Sequence, residues 1–131
     1  MKPIIDEVLI PILDPQTWKH MKEGKIEAIV FPDKPERILY PFRAIVHVKG
    51  IGVVGCFDCD SITITIRPTK FLTELCLKPY LIEEGKATPV CIWHIKERSV
   101  VEYETPFELE RATGLIHPPS TWQYLKRIDD E

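Results

Sequence analysis

The chain has no Asn and only two Gln, Gln16 and Gln123. Scarcity of thermolabile amides, alongside twelve Pro, suits a protein from a hot environment, where floppy loops are also disfavoured. Also missing is any apolar run of about 18 residues, which excludes a membrane-spanning helix. The opening MKPIIDEVLIPILDPQ is interrupted by Asp6 and Glu7 and lacks a small-residue cleavage site. It reads as no signal peptide, and a cytoplasmic location without a membrane partner is expected. No excess of positive charge is present, since 17 Lys and Arg face 20 Asp and Glu for a net charge of −3. A uniformly basic nucleic-acid binder is thereby excluded. The six Gly form no phosphate loop; Gly50, Gly52 and Gly55 miss the dinucleotide-binding spacing and read as turn and bulge positions. G-x-S-x-G, H-E-x-x-H and the zinc-deaminase signature are absent.

What is present fits one folded domain over residues 1–131: 44% hydrophobic and 28% charged residues without a low-complexity tract, repeat or linker. IIDEVLIPI (4–12) is rich in β-branched residues and predicts a strand, which Pro11 places at an edge or an end. Asp14 as N-cap, Pro15 in the first helical position and Gly24 as left-handed terminator predict a helix at about 14–23. KIEAIVF (25–31) reads as a strand, and three prolines in FPDKPERILYPF mark a loop and a broken, edge-like segment. Two strands, 43–50 and 52–68, flank the Gly50-Ile51-Gly52 turn; in the second, Ser61, Thr63 and Thr65 alternate with Ile62, Ile64 and Ile66. TKFLTELCL (69–77) predicts a second helix between Pro68 and Pro79. Strands follow at 89–97 and 99–104, and Thr105-Pro106-Phe107-Glu108 matches a capping box before a third helix ending at Gly114. The tail IHPPSTWQYLKRI is a turn and helix or a last strand. Six or seven strands and three short helices without regular alternation describe an α+β mixed β-barrel or half-barrel.

Four cysteines are present, Cys56, Cys59, Cys76 and Cys91. A zinc site at Cys56 and Cys59 needs two further ligands, for which Cys76, Cys91 and His94 are the candidates. Residues three apart in the run VVGCFDCDSITITI point to opposite faces of a strand, so a shared metal, like a disulfide, needs a bulge or turn at Gly55 or Asp58. Buried small hydrophobes are the favoured reading, with no metal and no cofactor expected. His47 and His94 sit mid-strand among apolar residues and read as structural, His20 as solvent-facing, and His117 stays open. No catalytic residue is assigned.

The charge is unevenly distributed: residues 16–49 hold seven Lys or Arg against four acids, and residues 100–131 three against seven. Lys19, Lys22, Lys25, Arg43 and Lys49, with Trp122, Tyr124, Lys126 and Arg127, supply the cations and aromatic rings that an RNA surface uses on phosphates and unpaired bases. Taken as a solvated helix face and core plugs, the same residues need no ligand.

The element order resembles the PUA/ASCH superfamily of small β-barrels. PQTWKHMKEGKIEAI resembles its strand-flanked first helix ending in Gly, VVG its "a-V-V-G-e" strand, and PPSTWQYL (118–125) its C-terminal segment. The likeness spans nearly the whole chain and is nearest to an archaeal family of unknown function. It implies RNA association or handling of modified nucleosides. The G-x-K-x-x-E-x-R pattern of many ASCH members is not kept: Gly24 is followed by Ile26, Ile29 and Phe31 at the Lys, Glu and Arg positions. The catalytic Lys and acid of the amidohydrolase-like members therefore do not carry over. The expectation is a non-enzymatic RNA-binding module, with Lys22, Lys25, Arg43 and Lys126 in the basic surface and Trp122 or Tyr124 stacking on a base or lining the groove. The rival is an enzyme or sensor for a small modified nucleoside.

Overall fold

A computed structural model describes residues 5–12, 14–31, 33–36, 38–65, 90–119 and 121–125. The elements run β1 (Ile5–Ile12), α1 (Pro15–Lys22), β2 (Ala28–Phe31), β3 (Ile38–Val48), β4 (Gly52–Thr65), β5 (Val90–Ile95), β6 (Val101–Phe107), α2 (Leu109–Thr113) and β7 (Gln123–Tyr124). One sheet takes the order β2-β5-β4-β3-β1-β7, and β6 adds to β4 outside that path. It is a half-barrel of seven strands with two helices among the described residues, where three helices were expected. The expected helix at 69–77 lies outside the described residues.

β4 organises the sheet. Its first half pairs antiparallel with β3, from Gly52↔Val48 to Cys59↔Phe42, while its second half pairs antiparallel with β5, from Cys59↔Ile95 to Thr65↔Val90. β1 lies parallel to β3 and antiparallel to β7. Pro11 pairs with His47 of β3, beyond the two residues that β7 covers, so its missing N–H leaves the described ladder intact. Alternate residues of β1 and β3, Val8, Ile10 and Ile12 with Ala44, Val46 and Val48, enter one core with Ile29, Phe31, Phe57 and Trp93. Period-2 patterning reaches the structure directly here.

α1 starts as its sequence demands: Asp14 Oδ1 accepts the Gln16 N–H at 2.9 Å, and Pro15 occupies the first turn. Trp18 and Met21 are buried against the sheet. Gly24 ends the turn with φ +74°, open to solvent.

Two expectations are corrected and one open alternative is decided. The end of the segment read as a loop and broken, edge-like stretch is part of the following strand: β3 begins at Ile38 and passes through a cis Tyr40–Pro41 bond. Thr105 does not cap the last helix, because pairing of Phe107 with Val53 carries β6 through Pro106. Glu108 is the N-cap, without a side-chain cap bond, while Gly114 closes the helix at φ +80°. The tail resolves as strand at Gln123–Tyr124, paired with Leu9 and Val8.

Candidate functional site

Between the C-terminal turn of α1 and the β5 end of the sheet lies a cleft of about 760 Å³. Its helix side carries Met21, Lys22, Glu23 and Gly24; Ile26 and Glu27 lead into β2; Asp60 and Ser61 come from β4; His94 to Arg98 and Val100 form the opposite side. Each position has a local cause. A register shift between Cys59 and Ser61 sets Asp60 out of the β4–β5 ladder. His94 pairs with Ala28 on one side and Ser61 on the other, and its Nε2 lies 2.8 Å from the Thr63 hydroxyl. The turn after β5 is clamped by Ser99: its Oγ donates to the Lys96 carbonyl at 2.6 Å and accepts the Asp58 N–H at 3.0 Å. The Lys96 N–H donates to the Asp58 carbonyl at 2.7 Å. Within this clamp Arg98 adopts φ +63°, a left-handed conformation that non-Gly residues rarely hold.

Charge in the cleft is mixed. Lys22 donates to Glu102 of β6 at 2.5 Å and lies 5.8 Å from the centroid of the Trp18 ring. Lys25, just outside the lining, pairs with Glu23 at 3.1 Å. The Lys22 bond holds the Glu102 carboxyl below its ordinary range, and Lys25 does the same for Glu23. Both pairs are exposed and so exchangeable for a ligand at small cost. Lys96, Arg98, Glu27, Asp60 and Glu97 form no ion pair among the described residues.

The cation and aromatic candidates separate into three places. Lys22 lines the cleft, with Lys25 beside it. Arg43 instead faces Glu7 at 3.7 Å across the β1–β3 pair. Nearby Tyr103, whose hydroxyl is pushed up to about 12 chiefly by burial and then by Cys56, shares that cluster. Trp122 and Tyr124 do not line the cleft. Trp122 donates its indole N–H to Asp33 Oδ1 at 2.6 Å and packs 5.9 Å from Trp93, while the Tyr124 hydroxyl accepts the Glu36 N–H at 2.8 Å. Lys126 lies outside the described residues.

Lys96, Arg98 and Asp60 were missed from sequence, and His94 was read there as structural. A strand ending in His-Ile-Lys-Glu-Arg-Ser was the available signal, but its meaning depends on the bulge and turn that bring Asp60 and Arg98 to one cleft. Cys59 and Cys91 are buried, free thiols, with Cys59 pushed up to about 12 by burial, and Cys56 is free and half-buried outside the core. Cys76 lies outside the described residues. Ile29 and Phe31, at the Glu and Arg positions of the ASCH pattern, are core residues, and Phe31 packs 4.7 Å from Trp93.

The half-barrel sheet, with a helix after its first strand, has the fold of solved ASCH structures. A mutant of ZmASCH from Zymomonas mobilis superposes with a TM-score of 0.73 at 16% identity, over 96% of this chain and 92% of that one. A second mutant of that protein gives 0.70 at 15% identity, covering 93% and 91%. The Zymomonas mobilis ASCH structure itself gives 0.68 at 15% identity, covering 93% and 89%. At these identities the likeness is one of fold. No family model and no curated protein matches the chain. Among the described residues no helix is long and apolar enough to cross a membrane.

Proposed function

We propose that the protein is an RNA-binding module that takes one unpaired nucleotide into the cleft beside α1. The observation that carries this reading is the cleft itself: a nucleotide-sized space with Lys22 on one side and Lys96 and Arg98 on the other. Cations on opposite rims suit a phosphodiester backbone passing over a base held between them. Lys25 extends the helix rim. Arg43, Trp122, Tyr124 and Lys126 serve a longer RNA that continues past the cleft. The relation to an archaeal family of unknown function, a hot habitat and a cytoplasmic location belong to the same reading, the habitat supported by the absence of Asn and the twelve Pro.

A second reading, recognition of a free modified nucleoside, is favoured by one specific observation. Glu23, Glu27, Asp60 and Glu97 outnumber Lys22, Lys96 and Arg98 in the lining, which weakens attraction for a long polyanion. Fluorescence anisotropy with single-stranded RNA at low and moderate salt distinguishes the two. The RNA module binds with an affinity that falls as salt rises, with a smaller salt slope in a Lys22→Ala/Lys25→Ala variant. Thermal stabilisation by free nucleosides, with no binding of RNA at low salt, establishes the second reading and refutes the first.

A further inference from the structure

We infer that Trp18 and Lys22 form a phosphate site at the rim of the cleft, which the protein's own Glu102 carboxylate partly fills and which a phosphate of the bound RNA takes over; the source of that phosphate rests on the RNA-binding reading. The site begins with a donor that lacks an acceptor. Trp18 is 4% exposed, and its indole Nε1 is buried with no hydrogen-bond partner among the described residues. An indole N–H can only donate, and a buried donor left unmet bears its whole desolvation penalty. The two other indoles are satisfied: Trp93 donates to the Asp33 carbonyl at 3.3 Å and Trp122 to Asp33 Oδ1 at 2.6 Å.

Three contacts fix where the unmet donor faces. Trp18 and Lys22 stand four apart on α1 and share a face of the helix, with Lys22 Nζ 5.8 Å from the ring centroid. The Cζ2–Cη2 edge of the indole lies on Gly55, where a Cβ would stand 2.9 Å from either atom. Gly55 pairs with Glu102 of β6, so Nε1, two bonds from Cζ2, lies on the side from which the Glu102 carboxylate comes. That carboxylate accepts from Lys22 Nζ at 2.5 Å. Lys22 first, and the Trp18 N–H to a lesser degree, hold the Glu102 carboxyl below its ordinary range, yet the indole bond is not closed.

A carboxylate tethered to β6 thus satisfies the ammonium and falls short of the indole. A phosphate carries further acceptor oxygens on a tetrahedral centre, and two hydrogen bonds of about 2.9 Å each to separate oxygens span the gap between the ammonium and the ring. The exchange costs the protein little, because the Glu102 side chain is 53% exposed and returns to water when displaced. Lys22 lines the cleft whereas Trp18 and Glu102 do not, so the phosphate sits beside the nucleotide space and leaves that space to base and ribose. Glu102 is a competitor built into the fold.

The test follows the Trp18 indole N–H in the ¹⁵N-labelled protein by NMR while pentauridylate or inorganic phosphate is added, with the cross-peaks of Trp93 and Trp122 as references. RNA is expected to move the Trp18 proton downfield as it gains an acceptor. Glu102→Gln releases Lys22 and should tighten RNA binding about fivefold. Glu104→Gln removes the same charge from the same strand, at a residue that neither lines the cleft nor forms an ion pair among the described residues, and should change affinity about twofold or less. A Trp18 signal that stays in place while RNA binds, or equal gains in the two variants, overturns the phosphate site and leaves the RNA reading standing. A shift with inorganic phosphate and no binding of RNA keeps the site and overturns the RNA reading; no response to either ligand overturns both.

Discussion

Replacing Gly55 by Ala tests the contact that seats α1, and with it one wall of the cleft. Gly55 lies where β4 meets β6, paired with Glu102, and Cys56 next to it pairs with Val101. A Cβ at Gly55 would overlap the Val101 carbonyl oxygen and stand 2.9 Å from both Cη2 and Cζ2 of Trp18. Trp18 is buried and cannot swing into solvent without emptying its place in the core, while the carbonyl belongs to backbone. Overpacking of this kind costs about 1–3 kcal/mol. Separating β6 from β4 loses ladder hydrogen bonds worth about 1 kcal/mol each. A total of about 3–4 kcal/mol follows, equivalent to a fall in Tm of roughly 11–15 °C for a chain of this size. Urea denaturation of both variants measures it, with Gly24→Ala as the comparison. Gly24 also carries a positive φ, but nothing lies within 4 Å of its Cβ position, so only backbone strain of about 1–2 kcal/mol applies. If Gly55→Ala costs no more than Gly24→Ala, the close stacking of Trp18 and β6 on Gly55 is refuted.

Trp18→Phe should be milder than Trp18→Ala, for which a loss of about 3–5 kcal/mol is expected, because the indole N–H lies near Glu102 without closing a hydrogen bond; chemical denaturation compares them, and equal losses contradict the reasoning. Burial raises the Cys59 thiol, so the folded state favours its neutral form, and the resulting stability is complete below the ordinary thiol range near pH 9 and is lost as pH rises toward about 12. Cys59→Ala should therefore flatten an alkaline decline in Tm. Burial acts oppositely on His47: its folded pKa is lowered, so its contribution is present above pH 6.5 and is lost as pH falls, and His47→Gln should lessen an acid decline in Tm. In the native protein a thiol reagent at pH 8 should modify half-buried Cys56 before buried Cys59 and Cys91, read by peptide mass mapping.

Elements whose signals are local were legible in the sequence. Asp14-Pro15 and Gly24 bracket α1 because a cap, a fixed φ and a left-handed residue each act within a turn. The alternation in β4 similarly marks a strand of long extent. Failures arose where tertiary pairing decides. Thr105 and Glu108 carry a capping-box pattern, yet the pairing of Phe107 with Val53 keeps Pro106 in β6. Pro41 read as one of three prolines in a loop and a broken, edge-like segment, but its neighbours Leu39 and Tyr40 lie on an exposed stretch of β3 where a missing donor is tolerated. The ASCH-like order of elements was readable because it depends on their succession, while no single motif fixed the site.

The cleft shows why counting charged residues along the chain points to the wrong scale. Residues 16–49 are locally basic, and that excess drew Lys22, Lys25 and Arg43 into one candidate surface. In the fold each meets an acid: Glu102 reaches Lys22 from a strand 80 residues later, Glu23 holds Lys25, and Glu7 faces Arg43 on a different part of the sheet. Of the charges that line the cleft, those without an ion pair among the described residues come from a β4 bulge, the entry to β2 and the turn after β5, each unremarkable in its own segment. A purely basic surface would bind RNA through phosphate and ignore the base. In the cleft Glu23, Glu27, Asp60 and Glu97 stand among Lys22, Lys96 and Arg98, so a polyanion is attracted there less than the basic excess of residues 16–49 suggests.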